Sequence, residues 1–246
     1  LDLPQSLLLD LEGLLSPDEH KRAERFAYDH LRRRYIAGRG QLRLLLGSYL
    51  QIAPAQVEFV YGPAGKPHLA DPAAANRLAF NLAHSEDVAL LAFTRGRRVG
   101  TDIEQKRDVF DLSLIASRYF SHLEQASLFA LPRAEQVEAF YRIWTRKEAF
   151  LKAVGDGLWR PLDSFSVSLW RDEAQLLELR DAAYTPAQWQ FVHLEPAPGY
   201  CGALVWESFE PAGGQVLWPV AAAGAIILPC YVNAYAEQLV IRLWRL

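Results

Sequence analysis

Apolar and polar positions follow two different periods along this chain. Between Asp29 and Leu50, the residues Leu31, Tyr35, Leu42, Leu45, Leu46 and Tyr49 make a broad apolar face at helical spacing, which predicts a long helix. Before it, Ser16-Pro17-Asp18-Glu19 reads as a helix start, with a serine cap, a proline in the first turn and two acids that complement the dipole. That helix is expected to run to about Arg25. VEFVYG (57–62) is strand-like, and GPAGKPHL is a Gly/Pro loop. LAFNLAHS, VALLAFT and RRVGTDIE follow as short strands, the last two expected to pair as a hairpin across Arg95-Gly96-Arg97.

The pattern then repeats. Helical stretches are predicted through about 111–131 and 134–155, with Gly155 and Gly157 closing the second. SFSVSLW (164–170), WQFVHLE (189–195) and YCGALVWE (200–207) read as strands. Helices followed by antiparallel strands, twice over, predict an α+β fold in two halves, residues 1–105 and 106–246. No clean sequence repeat relates them, so any duplication is structural. The tail after about Glu207 holds an uncharged run, 216–232, that contains Pro219 and Pro229. It falls short of the roughly 20 apolar residues a bilayer requires and is read as an apolar packing arm rather than a membrane span.

Composition narrows the field. With 51% hydrophobic and 22% charged residues, the chain has ordinary globular usage, and its net charge of −3 gives no reason to expect nucleic-acid binding. The arginines at 22, 32, 33, 34, 39 and 43 lack the aromatic interleaving of a nucleic-acid surface. Cys201 and Cys230 make neither a disulfide framework nor a zinc motif. The opening LDLPQSLLLDLEGLLS lacks a basic n-region, so it is not a signal peptide, and a reducing, cytoplasmic setting is expected. With no methionine present, the natural start is expected to lie outside these residues.

Two segments could carry chemistry. If 98–104 is a strand, Gly100, Asp102 and Glu104 share one side and Val99, Thr101 and Ile103 the other. Two carboxylates that close repel unless a cation neutralises them, and carboxylates plus substrate phosphate are what Mg²⁺ uses. Taken alone, the pair reads more readily as a solvated edge strand. In WTRKEAFLK (144–152), Trp144, Glu148 and Lys152 line one helical stripe while Ile143, Phe150, Leu151 and Val154 can face the core. Alone, Glu148 and Lys152 read as a surface pair. Together with Asp102 and Glu104 they make a phosphoryl-transfer site plausible.

The segments GKP (65–67), FNLAHS (80–85), VGTDIE (99–104), RYFSHLE (118–124) and FYRIWTRKEAFLKAVGDGL (140–158), in that order, resemble the Sfp-type 4'-phosphopantetheinyl transferases. The resemblance covers roughly residues 14–207. It implies a monomeric pseudo-dimer of two similar α+β halves that moves the 4'-phosphopantetheine arm of coenzyme A onto a serine of an acyl or peptidyl carrier protein, releasing 3',5'-ADP. Carried over residue by residue, it implies Asp102, Glu104 and Glu148 as Mg²⁺ ligands and Lys152 at the pyrophosphate. Lys66 and His84, with Ser85 beside it, are implied to hold the nucleotide phosphates, with Arg22 and Arg34 assisting at the 3'-phosphate. Glu148 is the expected base and Glu124 the reserve; Trp144 is expected to pack. The docking surface is expected within Lys106–Leu131, with Arg118, Tyr119 and Phe120 contributing.

Two departures stand out: Ala83 where the family often has serine, and Thr101 in place of an aliphatic residue. Rival readings are a metal-dependent phosphohydrolase or nucleotidyl-transfer enzyme using the same acids, and a non-catalytic binder of coenzyme A or a carrier domain.

Overall fold

A computed structural model describes residues 1–108, 111–155, 160–180, 184–208, 225–232 and 237–244. The first half opens with helices α1 (Gln5–Glu12), α2 (Pro17–Glu24) and α3 (Asp29–Leu50). The serine start is a full capping box: the Ser16 side chain accepts from Glu19 N–H while Glu19 reaches back to Ser16 N–H at 2.9 Å. On α3, Gly40 leaves no room for a side chain against Leu11, which lets α1 lie directly on the longer helix. Strands β1 (Phe59–Tyr61) and β2 (Pro67–Leu69) flank the GKP loop, and the short helix α4 (Pro72–Ala75) leads to β3 (Ala79–Ser85), β4 (Val88–Thr94) and β5 (Val99–Gln105).

The expected hairpin across Arg95-Gly96-Arg97 does not form. β4 pairs instead with β3, across the Glu86-Asp87 turn, and on its other side with β11 (Glu237–Trp244), so both its edges are taken. Gly96, at φ +63, turns the chain out of that sheet, and β5 pairs antiparallel with β9 (Tyr200–Glu207). Strand β10 (Ala225–Val232) extends the first sheet beyond β11, giving the order β10-β11-β4-β3. Part of the tail expected as a packing arm is therefore sheet, while 216–224 lie outside the described residues.

In the second half, the predicted helix over 111–131 is two: α5 (Leu112–Tyr119) and α6 (His122–Phe129). Ser121 caps the second through a capping box with Glu124, which breaks the run. α7 (Arg133–Val154) spans 22 residues and ends at Gly155, whose φ of +88 suits the left-handed cap. Gly157 lies outside the described residues. Strands β6 (Phe165–Val167) and β7 (Leu176–Leu179) pair with each other, and β8 (Trp189–Leu194) completes the sheet β5-β9-β8.

Three cores stack these elements into four layers. Leu8, Leu11, Ile36 and Leu46 of the first helices bury the outer faces of β3 and β4 at Phe80, Leu91 and Phe93. Between the sheets lie Leu90 and Ala92 against Val99, Ile103, Leu204 and Trp206. Beneath α7, Ile143, Ala149 and Phe150 meet Phe191, Cys201, Ala203 and Val205. Helix on antiparallel sheet thus occurs twice, joined sheet to sheet, with β5 of residues 1–105 in the second sheet and β10 and β11 of residues 106–246 in the first. Strand alternation on β5 is as expected: Val99 and Ile103 enter the inter-sheet core, leaving Gly100, Asp102 and Glu104 toward α7. Among the described residues no helix is long and apolar enough to cross a membrane.

Candidate active site

α7 comes down on β5 backbone to backbone. A Cβ on Gly100 would overlap Ala149 O, Ala153 N and Lys152 C, so only glycine allows this approach. The helix stripe carrying Glu148 and Lys152 is thereby laid over the strand face carrying Asp102 and Glu104. Lys152 Nζ donates to Asp102 Oδ1 at 2.5 Å. Asp102 is only 4% exposed, and its other oxygen, Oδ2, is buried without a partner.

These charges perturb one another. Burial pushes the Asp102 carboxyl above the usual aspartate range, against the pull of Lys152. Glu148 is raised by burial and then by Asp102, and Glu104 by burial, then Asp102, with a smaller push from Glu148. One buried carboxylate with two half-buried ones beside it favours positive charge. By chemistry they suit a hard divalent cation, which prefers oxygen ligands, and Asp102 Oδ2 is a buried oxygen with no hydrogen-bond partner. They are not a finished cage. Among the described residues no three His, Cys, Asp or Glu side chains are gathered closely enough to hold a metal ion, and Lys152 supplies the neutralising charge at Asp102.

The remaining expected residues fall around this centre at different distances. Lys66 Nζ donates to the backbone carbonyls of Val99, at 2.9 Å, and Lys152. Burial, then the charges of Arg98 and Lys152, lowers its pKa to about 8. Lys66 and Lys152 line one cavity of about 230 Å³ with Asn81, Leu82 and Gly155. His84 sits at the open end of β3, where enclosure by protein and the charges of Lys152 and Arg34 lower its pKa. The Ser85 hydroxyl faces Glu104 at 3.2 Å. Arg34 bonds Asp87 at 2.8 Å and Glu86 at 2.9 Å. Arg22 stands apart, over the Tyr35 ring at 5.6 Å and lining a cavity of about 1270 Å³ between α2, α3 and β1.

Several expectations are corrected by this geometry. Glu124, the reserve base, is 1% exposed and spent on structure: it accepts from Lys147 Nζ, Ser121 N and Val167 N. It cannot meet a substrate. Phe120 is likewise a core residue, 5.3 Å from Phe140 between ring centroids, rather than part of a docking face. Much of the arginine run is paired: Arg39 and Arg43 are buried on Glu19, and Arg32 pairs with Glu12. Trp144 packs as expected, edge-on to Tyr119 and stacked on Phe140. The Thr101 hydroxyl is satisfied by Ala203 O at 2.9 Å, and Ala83 is buried between the sheets. Asn81 was not anticipated; its only signal is a buried amide in an apolar strand, and its Oδ1 accepts Thr101 N–H at 2.8 Å.

The chain's relatives share this arrangement of sequence. A family model described as the 4'-phosphopantetheinyl transferase superfamily matches residues 98–205, and one described as 4'-phosphopantetheinyl transferase, N-terminal, matches residues 5–95. The 4'-phosphopantetheinyl transferase HetI of Nostoc sp. is 41% identical over 209 residues, covering 85% of this chain and 85% of that protein. The chain belongs to the 4'-phosphopantetheinyl transferase superfamily. Two further members are similar: Sfp of Bacillus subtilis, 33% identical over 75% of this chain and 79% of its own, and AcpT of Escherichia coli K12, 40% identical over 63% and 76%. The paired β5 and α7 motifs lie inside the segment matched by the superfamily model. As a 4'-phosphopantetheinyl transferase, the chain is an enzyme of group transfer.

Proposed function

We propose that this chain transfers the 4'-phosphopantetheine arm of coenzyme A to a serine of an apo acyl or peptidyl carrier protein. The serine oxygen forms a bond to the pantetheine-side phosphorus of the pyrophosphate. The bond from that phosphorus to the bridging oxygen breaks, and 3',5'-ADP departs with the electron pair. The observation that carries this reading is the Lys152–Asp102 contact beside Glu104 and Glu148, a cation and three acids under one helix.

Each residue then has a task. Lys152 would exchange Asp102 for the pyrophosphate and stabilise charge on the leaving group. Glu148, half-buried beside Asp102, would take the serine proton. Asp102, Glu104 and Glu148 would hold Mg²⁺, which when bound would offset the charge of the pyrophosphate. Lys66 and His84 would flank the nucleotide phosphates, with Ser85 beside His84. Arg22 and Arg34 would serve the 3'-phosphate, Arg34 by releasing Glu86 and Asp87.

Carrier proteins would dock on residues 106–131, where Leu114, Leu123 and Phe129 expose apolar surface near Arg118. The built-in pair of halves, 1–105 and 106–246, suits a monomer. The free, buried thiol of Cys201 suits a reducing cytoplasm.

The test is intact-protein mass spectrometry of a panel of apo carriers incubated with the chain, coenzyme A and Mg²⁺. A gain of one phosphopantetheine on a carrier, absent without metal, supports the proposal. A chain that binds coenzyme A yet modifies no carrier would be a binding protein, and hydrolysis of coenzyme A without any carrier would favour a phosphohydrolase.

A further inference from the structure

The edges of β3 and β5 meet without a shared backbone ladder. β3 pairs with β4 and β5 with β9, and the two belong to different sheets. Side chains stand in for the ladder. Thr101 N–H donates to Asn81 Oδ1 at 2.8 Å, and Gln105 N–H donates to Ser85 Oγ at 3.0 Å. Both bonds link residues 20 apart, so the two strands run side by side in one register. Ala83, between Asn81 and Ser85 on the same side of β3, is small and buried in the core between the sheets. Unpaired buried amides are costly, so these two acceptors give the strand edges a fixed relation.

The Ser85 hydroxyl makes a second bond. Having accepted the Gln105 amide hydrogen, it donates to Glu104 Oε2 at 3.2 Å. A hydroxyl has a single proton, so a lone pair committed to a backbone amide limits where that proton can point. Glu104 needs such a hold. Its carboxylate is repelled by Asp102 and Glu148, and the Ser85 hydroxyl offsets part of that repulsion while fixing one oxygen. A neutral donor restrains it without cancelling its charge.

We propose that Ser85 is a positioning residue for Glu104, anchoring Oε2 through a hydroxyl that is itself pinned to β5, and so fixing the carboxylate that would help hold the cation. The proposal rests on the metal role proposed for Glu104 and gives Ser85 a task other than phosphate binding. It also makes the geometry of a carboxylate in the second sheet depend on a strand of the first.

The test measures Mn²⁺ binding to the full chain by the electron paramagnetic resonance of free Mn²⁺, with coenzyme A present and no carrier, so that nothing turns over. Ser85→Ala is expected to weaken Mn²⁺ binding about tenfold, as loss of a partner behind a metal ligand commonly does. Ser85→Cys, nearly the same size but a weak donor, is expected to match it, and Ser85→Thr to stay near wild type. Coenzyme A affinity without metal should be unchanged in all three. Wild-type Mn²⁺ binding in Ser85→Ala, with Glu104→Ala impaired, would overturn the positioning role while sparing the metal role of Glu104. A fall in metal-free coenzyme A affinity in place of Mn²⁺ affinity would return Ser85 to the phosphates. Mn²⁺ binding undiminished in Glu104→Ala would remove the metal role itself, and the Ser85 proposal with it.

Discussion

Lys152 Nζ lies 2.5 Å from Asp102 Oδ1, so an ammonium in the last turn of α7 rests on a carboxylate in the middle of β5. The pair is asymmetric. Asp102 is nearly enclosed, while the Lys152 side chain keeps 32% of its exposure and can turn to a ligand. Burial raises the Asp102 pKa despite Lys152, so the folded state binds that proton more tightly than the unfolded state does. The sign follows: the ionised carboxylate costs stability above its folded pKa, and the cost fades as pH falls toward the unfolded value. Asp102→Asn is therefore expected to raise Tm at neutral pH by a few degrees while lowering transfer at least about 100-fold. Differential scanning calorimetry beside the carrier mass assay checks both halves. A lower Tm would show that Lys152 outweighs burial.

Gly100 sets how closely the two motifs approach. Gly100→Ala places a methyl against α7 backbone that cannot swing aside. We expect a loss of about 1–3 kcal/mol in urea denaturation, the usual range for overpacking, together with a fall in transfer. Full stability and full transfer in this variant would mean that the helix has slack.

Lys147 and Glu124 form a buried pair, each 1% exposed, with Lys147 Nζ also donating to Phe165 O at 2.6 Å. Lys147→Met leaves the Glu124 carboxylate uncompensated and should cost about 3–5 kcal/mol. Adding Glu124→Gln removes that charge and should recover part of the loss. A double-mutant cycle by chemical denaturation measures the coupling; additive losses would contradict a true pair.

Lys66 has a pKa lowered to about 8, chiefly by burial. The folded state thus gives up this proton more readily than the unfolded chain, in which lysine titrates near 10.5. Between about pH 8 and 10.5 the unfolded state binds more protons, so this group makes stability rise with pH. Relative to Lys66→Met, the wild type should gain at most about 3 kcal/mol across that window. Denaturation curves at several pH values test it, and a flat difference would place Lys66 in solvent.

Much of this architecture was legible locally. The serine cap at Ser16 and the glycine stop at Gly155 act within a few residues of themselves, and the alternation of VGTDIE placed Asp102 and Glu104 on one side. The polar stripe of WTRKEAFLK likewise put Glu148 and Lys152 together, because helix geometry alone sets the i,i+4 spacing.

Other features were decided only by the tertiary structure. Of the two lysines in that stretch, Lys147 enters the core and Lys152 the cleft, a choice set by where Glu124 and Asp102 lie in space. The partner of β5 is β9, about a hundred residues on, and not the adjacent β4, whose edges are filled by β3 and β11. Arginines alike in sequence end up buried on Glu19, paired to an acidic turn, or lining a cavity. Near neighbours along the chain were enough to read the long helices over 29–50 and 134–155, the faces of the strand at 99–105 and the types of residue available for chemistry, but not the break at Ser121. Which edges paired and which charges met depended on the whole chain packing at once, because hydrogen-bonding edges and buried ions are satisfied by whatever the fold brings to them.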